Sequence, residues 1–150
     1  MTNRFTLLII AIILLAGCAA QQPLIKNTAS GYPEGVFRNA SLEDVKGKIL
    51  DGCVSHGMMV SEASSNQVVC EKTMTGGDAV LAQMLVGNSY STTPVRKLRF
   101  IMYKLSQDVK VTAQEWFQSQ MAFGQINKQE LKSNNQRNNI QNFLFSLGAE

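Results

Sequence analysis

Three thiols and one imidazole are the side chains of this 150-residue chain best suited to covalent, metal or proton-transfer chemistry: Cys18, Cys53, Cys70 and His56. A thiolate is a nucleophile and a metal ligand, and imidazole carries protons near neutral pH. Spacing limits what they can do. Cys53 and Cys70 are far from the C-x-x-C arrangement of a redox-active pair. His56 is the only histidine, so any Cys/His or Ser/His site would rest on it alone. Near the end of a helix it reads as a capping or partly buried structural group. The acidic residues are scattered, and the sequence contains no H-E-x-x-H, G-x-S-x-G or phosphate-cradling loop. Gly76-Gly77-Asp78 could present free N–H groups to an anion, but Asp78 would repel it, so the stretch reads as a plain helix start. No catalytic residue, metal site or cofactor is expected, and the chain is not expected to be an enzyme.

Cys18 differs from the other two by its position. Arg4 precedes an unbroken apolar run, Leu7 to Leu15, and the small residues Ala16 and Gly17 follow it. A charged start, an apolar core and small residues form the three-part pattern of a secretory signal peptide. As a helix the core spans about 14 Å, half of what a bilayer requires, so a permanent transmembrane helix is the weaker reading. Leu15-Ala16-Gly17-Cys18 resembles the lipobox of bacterial lipoproteins. The resemblance implies cleavage that leaves Cys18 as the new N-terminus, with a diacylglycerol on its sulfur and an acyl chain on its amine. More than one acyl chain gives stable anchoring. An Asp after that cysteine resembles an inner-membrane retention signal; here the residue is Ala19. The resemblance therefore implies the outer membrane, with the domain in the periplasm. Residues 1–17 read as signal peptide, 18–40 as lipidated N-terminus and flexible tether, and 41–150 as a single domain.

The elements that must position the remaining groups follow from periodicity. Residues 19–40 are rich in Ala, Gln, Asn, Gly and Pro without an apolar period, which is why they read as tether. Val36 and Phe37 within them read as a short strand, a docking patch or a loop. The rest suffices for one compact domain. The chain's formal charge is +3, and no Lys/Arg cluster with interleaved aromatics occurs, so nucleic acid is not an expected partner. Arg96-Lys97-Leu98-Arg99 reads as a solvated basic patch.

Ser41-Leu42-Glu43-Asp44 has the form of a capping box, and Leu42, Val45, Ile49 and Cys53 make one helical stripe; Gly57 ends this helix over 42–56. Gly47 and Gly52 inside it are unfavourable, and close packing against a sheet would account for Gly52. Residues 58–63 and 67–74 read as a hairpin across Ser64-Ser65-Asn66. A short apolar helix over 79–86, capped by Asp78, follows, then a loop over 87–94. Strands are expected over 95–105 and 109–123. Ile140, Phe143, Leu144 and Leu147 mark a closing helix. The order α-β-β-(short α)-β-β-α predicts an α+β fold: an antiparallel sheet of about four strands with the N- and C-terminal helices on one face.

In that arrangement Cys53 and Cys70 can both point into the helix–sheet interface, where they form a disulfide or pack as two buried thiols. A bridge closing a loop of this size stabilises by about 3 kcal/mol. The short helix carries Val80, Leu81, Met84, Leu85 and Val86, more apolar width than one buried face needs. It reads as core filling or as a docking element whose surplus face, with Tyr90, meets a partner. Trp116 and Phe117 should face opposite ways. The order of elements, with Gly57-Met58-Met59-Val60 after the first helix and NNQRNNIQNFLFSLG at the end, resembles helix-grip domains. It is similar in style to the helix-grip lipoproteins of the outer-membrane β-barrel assembly machine. The 79–86 helix departs from that pattern, and no functional residue carries over. The expected function is a lipid-anchored periplasmic accessory protein that binds protein partners in an envelope complex. The alternative is a small ligand-binding or inhibitory lipoprotein with its pocket between closing helix and sheet.

Overall fold

The computed structural model describes residues 21–150, so Cys18 and the signal-peptide stretch lie outside the described residues. Strands β1 (Glu34–Phe37), β2 (Met59–Ala63), β3 (Gln67–Thr73), β4 (Val95–Leu105), β5 (Asp108–Gln120) and β6 (Ile126–Glu130) alternate with three helices. These are α1 (Leu42–Ser55), α2 (Gly76–Val86) and α3 (Asn134–Ser146). The fold is α+β with an antiparallel sheet, as the periodicity implies, but the sheet has six strands rather than about four. One addition, β1, is the short strand that Val36 and Phe37 left open; the other, β6, comes from a segment without a legible strand pattern.

β5 explains how both fit. Its 13 residues are long enough to hold one partner along each half of the same edge. β1 pairs with Val109 to Thr112, and β6 pairs with Trp116 to Gln120. The expected strand over 109–123 is thereby cut short: Phe123 adopts φ 66° in a single 3-10 turn, and the chain doubles back as β6. From β5 the sheet runs through β4 and β3 to β2, a free edge.

The stretch read as tether is instead largely part of the domain. β1 lies within it, and ahead of β1 the chain is fastened to α3. Asn134 Nδ2 donates to the Gln22 carbonyl (2.7 Å), and Asn138 bonds both the Pro23 carbonyl and the Ile25 N–H (2.9 Å each). Gln141 brackets Glu34 in the same way, donating to its carbonyl and accepting from its N–H. Amide side chains suit this task because each offers a donor and an acceptor to an otherwise unpaired extended backbone.

One face of the sheet carries the core. Val45, Ile49 and Cys53 of α1 and Ile140 and Leu144 of α3 pack with Val68, Phe100 and Val111 of the strands. The capping boxes at Ser41/Asp44 and at Ser133/Gln136 satisfy the first N–H groups of α1 and α3. Gly52 is needed for the contact between these helices. A Cβ there would stand 2.8 Å from the Phe143 ring and 2.9 Å from Leu147, so α3, not the sheet, explains this glycine. Gly47 faces open space.

Candidate interaction surfaces and a cationic cleft

The short helix is longer than its apolar run suggests. α2 starts at Gly76 with Thr75 as N-cap, so Asp78 sits in the first turn and does not cap. It turns small side chains inward: Ala82 and Val86 are its buried residues, while Val80, Leu81, Met84 and Leu85 are 56 %, 63 %, 77 % and 57 % exposed. The end of the helix is held at its last carbonyl, where Val86 accepts from Ser119 Oγ (2.7 Å) and Asn127 Nδ2 (2.9 Å). After it the loop is fixed by Gln83, whose amide donates to the Asn88 carbonyl and Ser91 Oγ (2.7 Å each). Tyr90 in that loop is 83 % exposed. The expected docking residues Val80, Leu81, Met84, Leu85 and Tyr90 are thus brought together at one end of the molecule. Apolar side chains exposed as a group on a folded surface mark a place where something else is covered.

A second feature lies between α1 and α3. A cleft of about 440 Å³ has Leu98, Ile140 and Phe143 as apolar wall and Lys72, Arg96 and His56 at its margin. His56 is the C-cap of α1, with Nδ1 2.8 Å from the Gly52 carbonyl and its ring edge-on to Phe143 at 5.1 Å. That is the structural role expected for an imidazole at a helix end. Near the cleft, Val54 and Val60 are exposed where α1 leads into the edge strand β2, whose five residues are all exposed, and Met59, paired with Glu71, is exposed on the other face of the same strand.

Arg96 separates this cleft from another of about 340 Å³ between α2 and α3, walled by Leu81, Leu85 and Phe117. It does so by pairing with Glu115, whose side chain is wholly buried. Burial raises the Glu115 carboxyl above its usual range, and the Arg96 charge and hydrogen bond act against that rise. The second carboxyl oxygen, Oε2, has no hydrogen-bond partner. Arg96 therefore departs from the solvated patch expected of residues 96–99. Strand alternation puts it and Leu98 on the helix-covered face, and Lys97 and Arg99 on the other.

On that open face, Lys97 pairs with Glu71 (3.0 Å). Trp116 is covered by its own neighbours, Lys128 lying 4.0 Å and Arg99 5.7 Å from its ring centroid. Phe117, on the opposite face, is half-buried in the second cleft. Cys53 on α1 and Cys70 on β3 are both fully buried and stand at disulfide-bonding distance, Cα–Cα 6.2 Å.

Sequence reasoning did not single out Lys72 or Glu115 and took Arg96 for part of a solvated patch, because the three come from separate strands. The legible signal was local: within 95–105, alternation pairs Arg96 with Leu98 and Phe100. Among the described residues, no group of three His, Cys, Asp or Glu side chains could hold a metal ion, and no helix is long and apolar enough to cross a membrane. No family model, no curated protein and no solved structure matches the chain.

Proposed function

We propose that this is a lipid-anchored accessory protein on the periplasmic face of the outer membrane, held by acyl chains on Cys18, that binds protein partners in an envelope complex. It works through surfaces rather than catalysis. The observation that supports this reading is the uncovered α1–β2 corner, where the free edge of β2 lies beside exposed Val54, Met59 and Val60, Met59 at 65 %. A domain that only had to stay folded and anchored would not need it. At the corner the apolar side chains adjoin an open strand edge, so a partner's extended segment could gain backbone hydrogen bonds and apolar contact together.

The cleft beside α3 favours one alternative, a small-ligand lipoprotein. Its volume falls in the range of ligand sites, and the cations Lys72 and Arg96 beside an apolar wall suit an amphipathic anion.

A photo-crosslinking residue in place of Met59, activated in the native envelope, separates these readings. The accessory-protein reading expects a discrete protein adduct at position 59 that is absent when the crosslinker replaces Lys104, beside the turn from β4 into β5. No protein adduct at 59, together with a small molecule copurifying in the cleft, would move the function to the alternative.

A further inference from the structure

The molecule is polarised from end to end. Residues 74–94, which contain α2, carry one charged side chain, Asp78, and residues 117–127, the turn from β5 into β6, carry none. The fold brings these segments together: Asn127 and Ser119 bond the Val86 carbonyl, and the Thr92 N–H donates to the Gln120 carbonyl at 2.8 Å. This uncharged end exposes Leu81, Met84 and Leu85 on α2, with Phe123 (102 %) and Ile126 (56 %) on the hairpin. The opposite end is ionic, with Arg38 bonded to Asp108 (2.8 Å) and Glu150 (3.1 Å).

The N-terminal segment points at the uncharged end. Lys26 Nζ lies 5.9 Å from the centroid of the Phe145 ring in the last turn of α3, Ile25 and Pro23 meet Asn138, and Gln22 meets Asn134 in its first turn. Followed toward its N-terminus, the chain runs along α3 from last turn to first. There Gln136 and Asn139 share a cleft with Leu81 and Leu85 of α2. Cys18 precedes Gln22 by four residues. Whatever their conformation, four residues reach at most about 14 Å. A leash of 20 free residues would let the domain tumble away from the bilayer, but one this short does not.

We infer that the α2 end is seated in the lipid leaflet that holds the acyl chains of Cys18, with α2 lying in the membrane plane as a second attachment. This rests on the reading that Cys18 is acylated. The occupant of the apolar end is lipid because the anchor delivers lipid within reach of it. Apolar side chains that enter the headgroup–acyl boundary by about 5–10 Å strengthen an acyl anchor. With no Lys or Arg in either segment, the seat does not depend on anionic headgroups or on salt. It also fixes orientation: the sheet stands on the membrane, and the Arg38–Asp108 end points away.

The test uses the full chain in its native envelope, with a photo-crosslinking residue at Met84 or, as control, at Lys104, and palmitate labelling of the same protein. The expected result is palmitate incorporation, phospholipid adducts from position 84 and none from 104. Palmitate incorporation with a protein adduct at 84, whether a partner or a second copy, overturns the seat and leaves the anchor standing. So does palmitate incorporation with no adduct at 84. Absence of palmitate overturns both. A double variant, Leu81→Asp with Leu85→Asp, changes exposed positions only. It should stay folded and keep its palmitate, yet lose lipid adducts at 84; undiminished adducts would contradict the inference.

Discussion

Glu115 and Glu130 sit on neighbouring strands and respond oppositely to their surroundings. Burial raises Glu115 above the ordinary 4.5 despite Arg96. For Glu130 burial also opposes the charge, but hydrogen bonds from Lys132, Gln114 and Tyr32 prevail and bring the carboxyl down to about 2. The signs follow from proton linkage. Native Glu115 takes up its proton more readily than the unfolded chain, so its charge costs stability once pH rises above 4.5 and through the raised native value. Native Glu130 holds its charge more firmly, so its contribution is complete above 4.5 and is lost as pH falls toward 2. Denaturant midpoints measured across that range should therefore diverge. Glu115→Gln gains stability at neutral pH and loses the gain below 4.5, whereas Glu130→Gln is destabilised at neutral pH and converges with wild type in acid. Parallel pH profiles for all three proteins would contradict the assignment. Neither residue stood out in the sequence, because a carboxylate's burial depends on which helices and strands close around it.

Among the elements, the helices were the more legible. The Ser41 capping box and the Val45–Ile49–Cys53 stripe place α1 within a residue of its observed end, since both signals are local in the chain. The second box, Ser133-x-x-Gln136, was equally readable, but its residues look like a polar tract until they are recognised as a cap. The two glycines of α1 make the contrast with tertiary packing measurable. Gly47→Ala adds a side chain in open space and should stabilise by up to about 1 kcal/mol. Gly52→Ala drives a methyl into Phe143 and Leu147 and should cost about 1–3 kcal/mol. Thermal or urea unfolding of the two variants decides it, and equal effects would refute the packing account. The strands were half legible. β4 and the first part of β5 alternate and β3 is a short apolar run, but β6 (INKQE) is largely exposed and has no apolar rhythm, so only pairing with β5 reveals it.

At the scale of the whole molecule, the N-terminal segment decides how freely the domain moves relative to the membrane. Asn138 fastens Pro23 and Ile25, and Lys26 is tied to the C-terminus, so native trypsin cleavage after Lys26 should be slow. Asn138→Ala should accelerate that cut without affecting cleavage at Arg38, as a time course read by mass would show. Equal rates in both proteins would mean the strap is not held this way.

The sequence by itself determined the lipobox resemblance at Cys18, the boundaries of α1, the antiparallel α+β class and the surplus apolar width of residues 79–86. All are written in neighbouring residues, as caps, periods and motifs. Only the tertiary structure decided that residues 22–40 are fastened to the domain, that Arg96 turns inward to Glu115, and that the apolar residues gather at the end toward which the N-terminus leads. Those outcomes depend on contacts between segments distant in the chain, the fastening most of all, where Gln22 meets Asn134 and Glu34 meets Gln141 across more than a hundred residues. Composition does not carry that information, because an amide side chain bonds any backbone that the fold brings to it.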